Sequence, residues 1–324
     1  METRRLGNSD LDLTVIGLGT WAIGGEWAYG WGPQDDKDSL ATILEALESG
    51  INWIDTAPAY GLGRSEQIVG QAIENWCKQG NPAPIVATKC GLVPNGSSTV
   101  ESCLDRASII RECNASLKRL GLERIDLYQI HWPNPAGKIA EAYETLLELK
   151  AAGKIRYGGV SNFSAPQLSH VQQYGEVVSL QPPYSMVNRG IEEQVVPWCI
   201  ENKTGILAYS PLQAGLLTGK VTSEWLADIS DGDWRKAKSD FFKSPKLDKV
   251  LAFNSAIAQT ALGVAHPLME IAIQWVIARP GVTAAICGAR RPGQIQQLVK
   301  ALTWNINAAE VQSIDQLYQK LFEK

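Results

Sequence analysis

Eight times along this 324-residue chain, a short apolar run rich in β-branched residues is followed by a longer segment of helical spacing. The runs are LTVIGLG, NWID, PIVATK, IDLYQIH, IRYGGVS, VVSLQ, GILAYS and AAICGA. Short apolar runs bounded by turn residues read as buried strands, and alternation with helices makes each pair a βαβ unit in a parallel sheet. The pattern predicts helices over 39–48, 65–78, 102–120, 139–152, 166–174, 192–201, 267–278 and 292–302. Pro292 is expected in the first turn of the last, where its missing N–H does no harm. Either one closed (β/α)8 barrel or two doubly wound domains would satisfy this order. No composition break or Pro/Gly/Ser-rich linker divides the chain, so the expectation is an α/β fold, a single (β/α)8 TIM barrel spanning 1–324. The stretch RRLGNSDLDLTVIG predicts an N-terminal β-hairpin closing the barrel floor, and AAEVQSIDQLYQKLF an extra C-terminal helix. One connection, from Leu212 to about Leu262, far exceeds ordinary loop length; SEWLADI and KVLAFNSAIAQ within it carry helical patterns.

Thirty basic against 34 acidic side chains give a net charge of -4 with no long basic run, so the electrostatic attraction that drives nucleic-acid binding is missing. A small molecule is the expected partner, with no nucleic acid and no membrane; the oligomeric state stays open, a monomer included. Cys77, Cys90, Cys103, Cys113, Cys199 and Cys287 form no Cys-x-x-Cys pair and read as free thiols. The N-terminus has no apolar signal core and no segment reaches membrane-spanning length, so the chain reads as cytoplasmic. His131, His170 and His266 lie far apart without ligand spacing, and no metal site is expected.

In such barrels the site gathers at the C-terminal strand ends. Those ends carry Gly19-Thr20-Trp21, Asp55, Lys89, His131, Ser161-Asn162, Gln181, Tyr209-Ser210 and Gly288-Ala289-Arg290. Singly, each has an ordinary reading: an Asp caps a helix, a Lys is solvated, a His is a satisfied core group. Together they say more, because Asp55, Lys89 and His131 end strands two, three and four, and Tyr60 follows Asp55 by five residues. A nearby ammonium stabilises a phenolate and lowers its pKa, while a carboxylate keeps the ammonium charged. Tyr60 then donates a proton, and a neutral His131 orients a carbonyl oxygen.

DTAPAYG, ATKCG, DLYQIHWP, GGVSNF, SLQPPYS, AYSPLQAGLLTGK and ICGARRPGQIQQ resemble, in order from Gly17 to about Leu298, the successive motifs of the aldo-keto reductase superfamily. The resemblance implies a barrel without a Rossmann domain that binds NADP(H) in extended form and reduces aldehydes or ketones. Its catalytic tetrad would be Asp55, Tyr60, Lys89 and His131. Ser161, Asn162 and Gln181 would hold the nicotinamide carboxamide, with Tyr209 stacked on the ring; Gly19, Thr20, Trp21 and Asp55 are also assigned to the cofactor site. Ser210, Pro211, Leu212, Gly215 and Lys220 would bind the pyrophosphate, under a flap formed by the long excursion. Gly288, Arg290, Gln294 and Gln297 would serve the adenosine end, with Arg290, and Arg291 beside it, suited to the ribose 2′-phosphate. Leu298 departs from the Asn of many relatives. Trp21, Trp27, Tyr60, His131 and Trp132 are the substrate-pocket candidates. Trp21, Trp27, Tyr29 and Trp31 read either as a loop over the substrate or as a surface loop packing its own aromatics. Gly17-x-Gly19-x-x-Ala22 matches a dinucleotide fingerprint, but glycines and tryptophans follow where a helix must open. Two other functions fit the same residues: a cofactor-sensing regulatory subunit like the potassium-channel β subunits, and a lyase or isomerase using Lys89 as a Schiff base.

Overall fold

In the computed structural model, which describes residues 1–96, 98–229 and 233–323, the eight apolar runs close into a barrel. The strands are β1 (Thr3–Arg5), β2 (Asp12–Thr14), β3 (Ile16–Gly19), β4 (Trp53–Asp55), β5 (Ile85–Cys90), β6 (Leu92–Asn95), β7 (Thr99–Ser102), β8 (Ile125–Ile130), β9 (Ile155–Ser161), β10 (Ser179–Gln181), β11 (Gly205–Tyr209) and β12 (Val282–Gly288). Eight of them, in the order β3, β4, β5, β8, β9, β10, β11 and β12, pair in parallel and return to β3. Outside lie α1 (Asp36–Glu48), α2 (Arg64–Lys78), α3 (Arg106–Leu120), α4 (Ile139–Ala151), α5 (Ala165–Val171) and α6 (Val195–Glu201). The excursion after β11 forms α7 (Ser223–Asp228), α8 (Trp234–Lys238), α9 (Lys246–Ala258) and α10 (Ala261–Ala265), with 230–232 outside the described residues. Then come α11 (Leu268–Ile277), α12 (Gln294–Lys300) and α13 (Ala308–Phe322), the expected C-terminal helix.

The floor explains why one end of the barrel is free for chemistry. β1 and β2 pair antiparallel as the expected hairpin, and Leu6, Leu11 and Leu13 pack under the barrel against Trp53, Leu127, Val178 and Leu207. Trp53 is fully buried, and its indole N–H donates to the Thr14 carbonyl at 2.9 Å, tying barrel to hairpin. Its ring fills the space beside Gly17, where an added Cβ would sit 2.1 Å from the indole. Glycine at 17 is therefore required by volume. The polar strand ends are left at the opposite mouth.

Four expectations are corrected. LTVIGLG divides, with Asp12–Thr14 in the hairpin and Ile16–Gly19 in the barrel. The helix expected from residue 102 begins at Arg106, because β7 pairs with β6 in the register Leu92↔Ser102 and Pro94↔Val100. Asn95 pairs with Thr99 and Gly96 follows at φ +83, a glycine turn signal that the expected helix boundary left unread. Pro292 lies ahead of α12, which starts at Gln294 after Gly293 turns the chain at φ +83. The excursion holds α8 and α10 beyond the two expected helices. All six cysteines are free thiols, and no helix among the described residues is long and apolar enough to cross a membrane.

Gly17→Ala should destabilise the fold by about 1–3 kcal/mol, the usual effect of overpacking a filled core. A denaturant midpoint equal to wild type would show that Trp53 can yield.

Candidate active site

β4 ends in Asp55, β5 carries Lys89, and the turn after β4 returns Tyr60 over both. The Lys89 side chain is fully buried, and its ammonium donates to Asp55 Oδ1 at 2.7 Å, to the Thr56 carbonyl at 3.0 Å and to Tyr60 Oη at 3.1 Å. Three donors meet three acceptors. A buried charge is tolerable only when paired and hydrogen-bonded, and Asp55 supplies the pairing. Burial pulls the Lys89 pKa down while the Asp55 charge opposes it. The His131 ring stands edge-on to Tyr60, with centroids 5.8 Å apart. Burial and then the Lys89 charge hold His131 well below the ordinary imidazole range, so its ring is neutral at physiological pH. The expected lowering of the Tyr60 pKa does not follow from this geometry. Burial disfavours the phenolate, the Asp55 charge adds to that, and the phenol is held well above its ordinary range. Tyr60 keeps its proton and can only give it to a strong base formed beside it.

From Asp55 a chain of amides and hydroxyls runs around the mouth. Gln181 donates to Asp55 Oδ2 at 2.8 Å, Ser161 Oγ donates to the Gln181 carbonyl at 2.8 Å, and Asn162 Nδ2 reaches both Ser161 Oγ (2.9 Å) and the His131 carbonyl (3.0 Å). Tyr209 Oη donates to Asn162 Oδ1 at 3.0 Å. Asn162 sits at φ +64, a conformation Asn tolerates better than most residues. The network fixes both ends of the tetrad.

A cavity of about 870 Å³ opens above the tetrad and extends to the start of α12. Of the sequence-derived candidates it is lined by Gly19, Trp21, Asp55, Tyr60, His131, Ser161, Asn162, Gln181, Tyr209, Ser210, Pro211, Leu212, Gly215, Lys220, Gly288, Arg290, Gln294 and Gln297, and by Trp27 and Trp132. Leu298 lines it too. Lys89 lies beneath the lining. Thr20 does not belong there: it is fully buried, and its hydroxyl donates to the Asp55 carbonyl at 2.9 Å. After β3 the chain makes only a 3-10 turn, Trp21–Gly24, and no helix opens until Asp36, so no dinucleotide fingerprint forms.

The tryptophan loop covers the site. Trp21 and Trp27 stand 6.5 and 6.3 Å from the Tyr60 ring, centroid to centroid. The sequence reading missed what they meet. Trp234 of α8 packs on Trp21 at 4.9 Å, and the Arg235 guanidinium lies over Trp31 (4.6 Å) and Trp225 (5.0 Å) while pairing with Asp233 at 2.6 Å. The β6–β7 hairpin turns Leu92, Val100 and Ser102 into the cavity from one face, as their register requires. Their period-two spacing was the available signal. Arg290 is bonded to the end of the tryptophan loop: its Nε donates to Gln34 Oε1 (2.9 Å), Nη1 to the Trp31 carbonyl (3.0 Å) and Nη2 to the Pro33 carbonyl (2.6 Å).

A parallel barrel with a buried Lys–Asp–Tyr cluster under a long cleft is the framework of a nicotinamide-dependent oxidoreductase. The model of the Aldo/keto reductase family matches residues 15–319, and the chain belongs to that family. It is 39% identical to the aldo-keto reductase YhdN of Bacillus subtilis, covering 98% of this chain and 94% of that one. It is 35% identical to the NADH-specific methylglyoxal reductase of Escherichia coli, covering 98% of each. Among solved structures it resembles a glycerol dehydrogenase of Gluconobacter oxydans, with a TM-score of 0.88, 36% identity and coverage of 100% and 97%.

Lys89→Met keeps the stem and removes the charge, leaving Asp55 buried beside an apolar group. Turnover should fall by orders of magnitude at every pH, and stability by about 3–5 kcal/mol, as for a buried pair with one partner removed. Near-normal turnover would place Lys89 outside the chemistry.

Proposed function

We propose that this protein reduces aldehydes and ketones to alcohols with NADPH, Tyr60 being the proton donor. The observation that carries the reading is the Lys89 ammonium, 3.1 Å from Tyr60 Oη and 2.7 Å from Asp55, beneath a cavity of about 870 Å³ whose lining runs from Tyr60 to Gln294. A bound nicotinamide would supply the hydride. Tyr60, protonated and hydrogen-bonded to Lys89, gives its proton to the oxygen as the alkoxide forms, and the ammonium stabilises the phenolate left behind. Neutral His131 holds the carbonyl oxygen without competing for that proton. Ser161, Asn162 and Gln181, which line the cavity, would hold the carboxamide, and Tyr209 would pack against the ring. A Schiff base at Lys89 is disfavoured, since a nitrogen donating to three acceptors has no free lone pair.

The preference for the 2′-phosphate rests on charge. Arg290 lines the cavity and feels the charges of Arg235 and Arg291, opposed by the Asp233 carboxylate, which is itself paired with Arg235. Among the described residues no carboxylate is ion-paired with Arg290, which leaves its charge available to an anionic group. The walls beside Tyr60, made of Trp21, Trp27, Leu92 and Val100, suit carbonyl compounds with an apolar or aromatic body.

Tyr60→Phe should lower turnover by orders of magnitude and leave NADPH affinity nearly unchanged, read by stopped-flow absorbance with chemistry rate-limiting. Wild-type turnover in that variant would refute the mechanism, and tight NADPH binding with no multiple turnover of any carbonyl in wild type would favour a regulatory subunit. Arg290→Ala should weaken NADPH binding roughly ten- to hundredfold, the equivalent of about 1.5–3 kcal/mol for a charge-assisted contact, and NADH binding far less. The NADPH loss should shrink at high salt. Equal losses for both cofactors would remove Arg290 from the phosphate.

A further inference from the structure

Arg290 is held in an unusual way for a surface-edge arginine. Its three nitrogens each donate to a neutral oxygen of the segment that ends the tryptophan loop: Gln34 Oε1, the Trp31 carbonyl and the Pro33 carbonyl. Gln34 answers in kind, because its Nε2 donates to the Arg290 carbonyl at 2.6 Å and to Ser39 Oγ at 3.0 Å. One side chain thus fixes both the backbone and the guanidinium of residue 290. Gln34 is itself anchored, its carbonyl accepting from Arg64 at 2.6 Å, and Arg64 pairs with Asp36 at the start of α1. A guanidinium has five N–H bonds, so the bonds described leave two unused. Neutral holders also leave its charge uncancelled, where a carboxylate in place of Gln34 would neutralise it.

We propose that Gln34 is a positioning residue for cofactor selection, holding the Arg290 guanidinium at the adenosine end of the cavity so that a 2′-phosphate meets it already placed. The inference rests on the NADP(H) reading above and deepens it. An arginine held in advance loses less side-chain entropy when the phosphate arrives, which favours NADPH without affecting a cofactor that lacks the phosphate. Gln34 acts through Arg290 and touches no reacting atom.

The experiment compares four full-length proteins, wild type, Gln34→Glu, Gln34→Met and Arg290→Ala, by the ratio of NADPH to NADH affinity, read as equilibrium Kd by fluorescence titration without a carbonyl substrate, and by the same ratio in kcat/KM. Gln34→Glu puts a carboxylate against the guanidinium, and the ratio should fall at least about tenfold. Gln34→Met keeps the length of the side chain and removes its hydrogen bonds. Its ratio should fall about two- to fivefold, through a higher KM for NADPH at an unchanged kcat. A merely structural role would lower the rates with both cofactors together and leave the ratio in place. A ratio within twofold of wild type in Gln34→Glu, with Arg290→Ala collapsing it, overturns the role of Gln34 alone. A wild-type ratio in Arg290→Ala overturns the phosphate contact beneath it. If Gln34→Glu fails to fold, Gln34→Met decides by the same ratio.

Discussion

Everything at the mouth of this barrel depends on one buried ion pair. Lys89 is fully enclosed and would be expelled or neutralised without Asp55 at 2.7 Å. The pair is costly to bury, and attraction alone rarely repays that desolvation. What makes it tolerable is that the groups around the two charges are themselves held: Thr56 and Tyr60 complete the ammonium, and Gln181 completes the carboxylate. The same bonds that satisfy the pair aim it at the phenol. Stability and chemistry are served by one arrangement.

The closed floor and the covered mouth give that pair its dielectric setting. Trp53 and the N-terminal hairpin pack the barrel from below. From above, the tryptophan loop and α8 meet through Trp21 on Trp234 and Trp31 on Arg235. Burial is therefore the largest influence on Lys89, His131 and Tyr60. It keeps His131 neutral and Tyr60 protonated, overriding the intuition that a nearby ammonium must make the phenol more acidic. A phenol that holds its proton until an alkoxide forms suits a donor better than one already half ionised at rest.

Three arginines from distant parts of the chain converge on the end of the tryptophan loop. Arg64 opens α2, Arg235 belongs to α8 and Arg290 follows β12, yet they hold Gln34, Trp31 and Pro33 within one small region. The adenosine end of the cleft and the loop over the catalytic phenol are mechanically joined there. Arg290, at one end of the cavity, thus also holds the loop whose tryptophans stand beside Tyr60.

Much of this was written in the sequence. Period-two and period-3.6 patterns locate strands and helices because burial is set by backbone geometry, and eight alternations leave few ways to close a parallel sheet. The tetrad was legible because Asp55, Lys89 and His131 fall at successive strand ends, where barrel topology alone brings them together. The β6–β7 hairpin was marked only by Gly96 and the period-two spacing of Val100 and Ser102, short signals because most of its pairing energy comes from a partner strand. Thr20 looked like a lining residue by position, but which way a strand-end side chain turns depends on the hydroxyls and carbonyls packed behind it, here Ser65 and Asp55. Nor could spacing reveal that Trp234 would reach Trp21, or that Gln34 would grip Arg290, 256 residues away. Such contacts join segments whose separation only the closed barrel fixes. The sequence determined the residue types at the strand ends, and through them the chemistry; tertiary structure decided which of those groups are buried, and burial set their charge.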